Sequence, residues 1–69
     1  MAEQGALELT PRQREIIALV AEGLSNQEIG ERLGISEGTV KQHLQRIFER
    51  LGVRNRTALA ALIFTNRLK

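Results

Sequence analysis

Apolar residues recur along this chain at helical spacing, and at no point do they alternate for long enough to suggest a strand. The stretch Thr10-Pro11-Arg12-Gln13 opens a first helix: Thr10 suits an N-cap, Pro11 is preorganised for the first helical position, and Gln13 stands where it can complete a capping box. Ile16, Ile17, Leu19, Val20 and Leu24 give that helix a broad apolar side, and Gly23 is placed to end it as a C′ residue. New start signals follow at once. Ser25 has cap chemistry, Glu28 stands three residues on, and Leu24 and Ile29 can staple the turn. Gly34 falls where this second helix must stop in a left-handed conformation. Ser36 then caps a third helix, with Ile35 and Val40 as its staple. Two capped helices around a glycine-containing turn have the pattern of a helix-turn-helix over residues 25–52.

The third helix divides into faces. Val40, Leu44, Ile47 and Leu51 fall in one stripe with Phe48 beside it, while Gly38, Lys41, Gln42 and Gln45 lie opposite. Thr39, His43, Arg46 and Arg50 run between the two. One face reads as core, one carries donors long enough to reach base edges, and the flank suits phosphates. A single helix of this kind is more often an ordinary amphipathic helix with a solvated polar side. The paired motif reverses those odds.

After Gly52 the chain turns through Val53-Arg54-Asn55, and Asn55 caps a final helix. Leu59, Ala60, Ile63 and Phe64 are expected to face the core. Ala58, Ala61, Leu62 and Thr65 form a second stripe that the core does not need, which points to a partner surface. The plainer alternative makes Leu62 one ordinary exposed apolar residue. Residues 1–8 lack periodicity and read as a flexible leader. The expected fold class is thus all-α, with four helices over residues 9–69.

Composition narrows the function. Sixty-nine residues make one small domain, with a core too small for a deep substrate cavity. The absence of cysteine removes disulfides and thiolate metal sites. There is also no aspartate, and the single His43 has no sequence-local pair of carboxylates, so neither an enzyme nor a metal or cofactor site is expected. No apolar run approaches a membrane span and no signal-peptide pattern appears, which places the protein in the cytoplasm. The net charge of +2 says little, but its distribution is uneven. Residues 1–37 hold three Lys/Arg against seven Glu, and residues 38–69 hold seven against one. The basic half begins where the third helix begins, as a phosphate-facing half would.

Four blocks also carry a resemblance: Leu9-Thr10-Pro11-Arg12-Gln13-Arg14-Glu15, Gly23-Leu24-Ser25-Asn26-Gln27-Glu28-Ile29, Thr39-Val40-Lys41-Gln42-His43 and Leu51-Gly52-Val53-Arg54-Asn55-Arg56-Thr57. In this order and spacing the chain closely resembles the LuxR-type (GerE/NarL-like) DNA-binding domain from residue 9 to about 68. The resemblance implies promoter binding, with the third helix as recognition helix in the major groove and the fourth as dimerisation helix. It implies that Lys41, Gln42 and Gln45 face bases. Thr39 and His43 match backbone-side positions, and Ser25 and Asn26 begin the scaffold helix near a phosphate. With Arg46, Arg50, Arg54 and Arg56 these make the expected phosphate set, and Ala58, Ala61, Leu62 and Thr65 the expected dimer interface. Gln45 stands where relatives often carry a basic residue, so no base preference is carried over. Ala58 replaces a frequent acidic residue of the fourth helix's capping box, and Leu59 stands where alanine is common.

The expected partners are double-stranded promoter DNA, a second copy bound weakly without DNA on an inverted-repeat-like site, and RNA polymerase. Two alternatives remain beside this reading. Region 4 of a sigma factor shares the stretch Ser36-Glu37-Gly38-Thr39-Val40-Lys41, but the capped fourth helix with its spare apolar stripe argues against it. A helical protein-interaction module would explain that stripe and leave the Lys41/Gln42/Gln45 face without a purpose.

Overall fold

The computed structural model describes residues 9–65, and the expected leader at 1–8 lies outside them. Four helices follow in order: α1 (Pro11–Ala21), α2 (Asn26–Leu33), α3 (Glu37–Leu51) and α4 (Arg56–Phe64). No strand occurs among the described residues, in agreement with the all-α expectation.

Each helix starts where a side chain takes over a backbone donor. Thr10 Oγ1 accepts from the Gln13 amide at 3.0 Å, and Gln13 Oε1 accepts from the Thr10 amide at 2.9 Å. Ser25 and Glu28 make the same reciprocal pair at 3.1 and 2.7 Å. Accepting the Ser25 backbone N–H, and then its hydroxyl, lowers the Glu28 pKa. Ser36 Oγ accepts from the Thr39 amide at 3.0 Å, and Asn55 Oδ1 from the Ala58 amide at 2.8 Å. Such caps are worth about 1 kcal/mol each. With alanine at 58, the α4 cap has only the Asn55 half of a box.

The helix ends are equally local. Leu24 N–H donates to the Leu19 carbonyl at 3.2 Å and Gly23 N–H to Val20 at 2.9 Å, the crossed pair that closes a helix around a C′ glycine. At the turn between α2 and α3, Gly34 has φ 74° and ψ 31°, a backbone that a Cβ would strain. A second glycine matters there for space alone. A Cβ on Gly30 would sit 2.6 Å from the Ile35 carbonyl oxygen, so only hydrogen allows the turn to lie this close on α2. The Ile35 N–H returns the contact by donating to the Gly30 carbonyl at 2.9 Å.

The core draws on all four helices. Ile16 of α1, Ile29 of α2, Val40 and Ile47 of α3 and Leu59 of α4 have no exposed surface. Leu9, Ile17, Leu19, Val20 and Leu44 complete the buried cluster, with Leu24, Leu33, Ile35, Phe48, Leu51, Val53 and Ile63 packed half-buried around it. Each fully buried aliphatic side chain contributes about 1.5–3 kcal/mol. In a domain this small every one of them counts. Helix α3 packs on both α1 and α2, whereas α4 leans on α1.

One expectation fails in this packing. Phe64, read from the sequence as a core residue with Leu59 and Ile63, is 82% exposed. At 100° per residue it lies about 140° around α4 from Leu59, beyond the strip that reaches the core. Ile63, about 40° from Leu59, does pack against the cluster. Ala60 is half-buried.

Candidate nucleic-acid interface

Packing Val40, Leu44 and Ile47 inward turns the opposite side of α3 to solvent. Lys41, Gln42 and Gln45 are all exposed there, as are Gly38, Arg46 and Arg50. The short Gly38 leaves the start of this face low. Thr39 and His43 are half-buried on the flank. The Thr39 hydroxyl is shared with Ser36 Oγ at 2.9 Å, so its side chain belongs to the cap as well as to the flank.

Two clefts border this face. The first is an open groove of about 300 Å³ lined by Asn26, Lys41, Gln45, Arg54, Asn55 and Arg56, with Leu44 and Phe48 supplying apolar wall. It therefore unites the first residue of α2, two of the expected base-facing residues and the loop before α4. Ser25, just before it, is exposed, and its oxygen and backbone N–H are both engaged in the capping pair. Arg54 is exposed and free to turn outward. Arg56 is not so placed. Its guanidinium turns inward, donating to Asn26 Oδ1 at 2.8 Å and to the Leu24 carbonyl.

The second cleft lies on the other flank, where Arg46, Glu49 and Arg50 face Thr10 and Gln13 at the start of α1. Sequence reading takes Thr10 and Gln13 for a helix cap alone. Their nearness to Arg46 and Arg50 depends on how α1 crosses α3, which no local pattern encodes. The buried Gln13, 7% exposed, is held by its bond to Thr10 and so forms a fixed wall opposite the two arginines. Phe48, read as a neighbour of the apolar stripe, turns out to line the first groove as well.

The expected dimer stripe is separate from both clefts. Ala61 and Thr65 are exposed, and Ala58 and Leu62 are half-buried. Leu62 is absent from the side chains packed on the core, unlike Ile63 beside it. The Thr65 hydroxyl donates to the Leu62 carbonyl at 2.9 Å, which keeps that threonine close to the helix end. Among the described residues no group of His, Cys, Asp and Glu could hold a metal ion, and no helix is long and apolar enough to cross a membrane.

Comparison with known proteins agrees with the four-helix fold. The family described as bacterial regulatory proteins, luxR family, matches residues 7–63. The chain is 53% identical to YhjB of Escherichia coli (strain K12) over 55 residues, covering 80% of the chain and 28% of YhjB. It is 47% identical over 60 residues to the transcriptional regulatory protein LiaR of Bacillus subtilis (strain 168), covering 87% of the chain and 28% of LiaR. With the nitrate/nitrite response regulator protein NarL of Escherichia coli (strain K12) it shares 36% identity over 66 residues, 96% of the chain and 31% of NarL. The chain thus spans less than a third of the length of these relatives.

Proposed function

The chain belongs to the luxR family of bacterial regulatory proteins, and from that premise we propose that it binds promoter DNA sequence-specifically through α3, as a pair on an inverted-repeat-like site. The observation that carries this reading is the single polar face of α3, with Lys41, Gln42 and Gln45 exposed and a cleft holding cationic side chains on either flank. An α-helix with its side chains is about 10–12 Å across and fills a B-DNA major groove about 12 Å wide. In that position Lys41 donates to guanine O6 or N7, Gln45 pairs with adenine N6 and N7, and Gln42 reaches a neighbouring base edge.

The flanks then meet the two phosphate backbones. Asn26, Ser25 and Arg54 serve one side, and Arg46 and Arg50 the other, with Thr39 and His43 on the helix itself. Arg56 is held inward and drops out of this set. The cationic contacts release counterions and give salt-sensitive affinity, while α3 supplies the choice of site. No step of this function is catalytic, and it takes place in the cytoplasm, where the chromosome is. That two relatives are named transcriptional or response regulators supports a regulatory output, with RNA polymerase as a further partner.

Pairing runs through α4. Ala58 and Ala61 let two copies approach closely, Leu62 makes the central contact, and Thr65 lies at the edge. So few side chains fall well short of the roughly 800 Å² per partner of a stable interface, so the isolated domain is monomeric and DNA promotes the pair.

In vitro selection of binding sites, followed by titration over a salt range, tests the proposal. Lys41→Ala is expected to cost about 1–3 kcal/mol on the selected site and to relax selection at one base position. A uniform loss across all DNA sequences would remove Lys41 from base readout.

A further inference from the structure

We infer that Arg56 is a positioning residue for DNA binding: it fixes the side-chain amide of Asn26 so that only its NH2 group is presented to a DNA phosphate. This rests on the DNA-binding reading and deepens it.

A guanidinium has donors and no acceptor, so the Asn26 atom facing Arg56 at 2.8 Å must be Oδ1. Without that partner a terminal amide can turn either way, and a carbonyl oxygen facing a phosphate repels it. With the partner, Nδ2 alone is left for the ligand. The second bond, from Arg56 to the Leu24 carbonyl, keeps the guanidinium from following Asn26 outward. Leu24 is itself held by its N–H on Leu19 at 3.2 Å, so the anchor belongs to the closed end of α1. Arg56 is the first residue of α4 and Asn26 the first of α2. A fork of two bonds therefore ties the start of the pairing helix to the start of the scaffold helix, at the wall of the groove that also holds Lys41 and Gln45. A lysine at this position could keep the charge but not the planar fork.

The test uses the whole chain and a site selected by the wild type. Arg56→Lys keeps a cation, so a direct phosphate contact would survive it, whereas positioning would not. The expected result is binding about tenfold weaker, the loss of one hydrogen bond to a charged group. Arg56→Gln is expected to weaken binding at an unchanged salt slope, because the lost contact is made by neutral Asn26. A phosphate-contacting arginine would instead lower the slope by about 0.9. In an Asn26→Ala background either change at 56 is expected to cost less than about twofold, the non-additivity that marks action through one partner. A purely structural arginine would weaken both backgrounds alike.

Asn26→Asp keeps the proposal open to refutation if the Arg56 variants unfold. It keeps an acceptor for Arg56 and removes the donor, so its thermal unfolding should match or exceed wild type while DNA binding falls at least tenfold. Wild-type affinity in Arg56→Lys or Asn26→Asp, a slope reduced by nearly one in Arg56→Gln, or additive losses in the double variants would each overturn the proposal. Failure of the DNA-binding reading itself shows earlier and separately, as a wild type that binds no selected site, and it takes this proposal down with it.

Discussion

Helices α3 and α4 both carry many apolar residues, but the structure uses them in opposite ways. In α3 the stripe Val40, Leu44 and Ile47 is 0–4% exposed, and everything opposite it is polar and solvent-facing. In α4 only Leu59 is fully buried, while Phe64 is 82% exposed and Leu62 stays half-buried. The difference comes from neighbours. Helix α3 lies on two other helices and has its apolar demand met within the chain, whereas α4 leans chiefly on one. One helix therefore keeps its apolar residues inside the fold, and the other leaves part of them at the surface.

Five substitutions can break or sharpen that contrast. The largest effect belongs to Ile47→Ala, which empties the centre of the core and should cost about 2–5 kcal/mol by thermal or denaturant unfolding. A loss under 1 kcal/mol would mean that α3 is not the spine of the fold. Leu62→Glu comes next. If α4 pairs as proposed, the substitution sets like charges against each other across the two-fold axis and should abolish cooperative binding to a two-half-site operator. Half-site affinity and helical circular dichroism should stay close to wild type. Equal losses on half-sites and full sites would return Leu62 to the core.

Neutralising Arg46 or Arg54 to Gln touches neither apolar stripe. Each should lower the salt slope of binding by about 0.9 with sequence preference retained, as one lost phosphate contact requires. A wild-type slope would place that arginine in solvent. Phe64→Ser should have the smallest effect, within about 0.5 kcal/mol of wild-type stability, as for a surface change. A drop of the size expected at Ile47 would show that α4 is buried after all, and the contrast would vanish.

The features legible in the sequence are those decided within a turn or two of helix. Thr10, Ser25, Ser36 and Asn55 each cap the helix expected of them, because a short polar side chain meets an amide only three residues on. The faces of α3 follow from its period alone. What escaped depends on partners far along the chain. Arg56 in a basic segment reads as a phosphate contact, and nothing near it in the sequence announces its bond to Asn26, thirty residues earlier. Phe64 reads as core because it stands next to Ile63, and only the way α4 packs on α1 shows that it faces away from the core. Thr10 and Gln13 are visible as a cap but not as the wall facing Arg46 and Arg50.

The interleaving of α3 has a consequence for how such a domain can diverge. Residues 40, 44 and 47 hold the fold together, while residues 41, 42 and 45, their immediate neighbours in the chain, are exposed and fill no part of the core. Mutations at the second set can drift with little toll on folding, since exposed positions away from caps and cores tolerate change. One scaffold can therefore descend into many lineages whose members share a shape and differ in the surface that this side of α3 presents, each new surface a few codons away from the last.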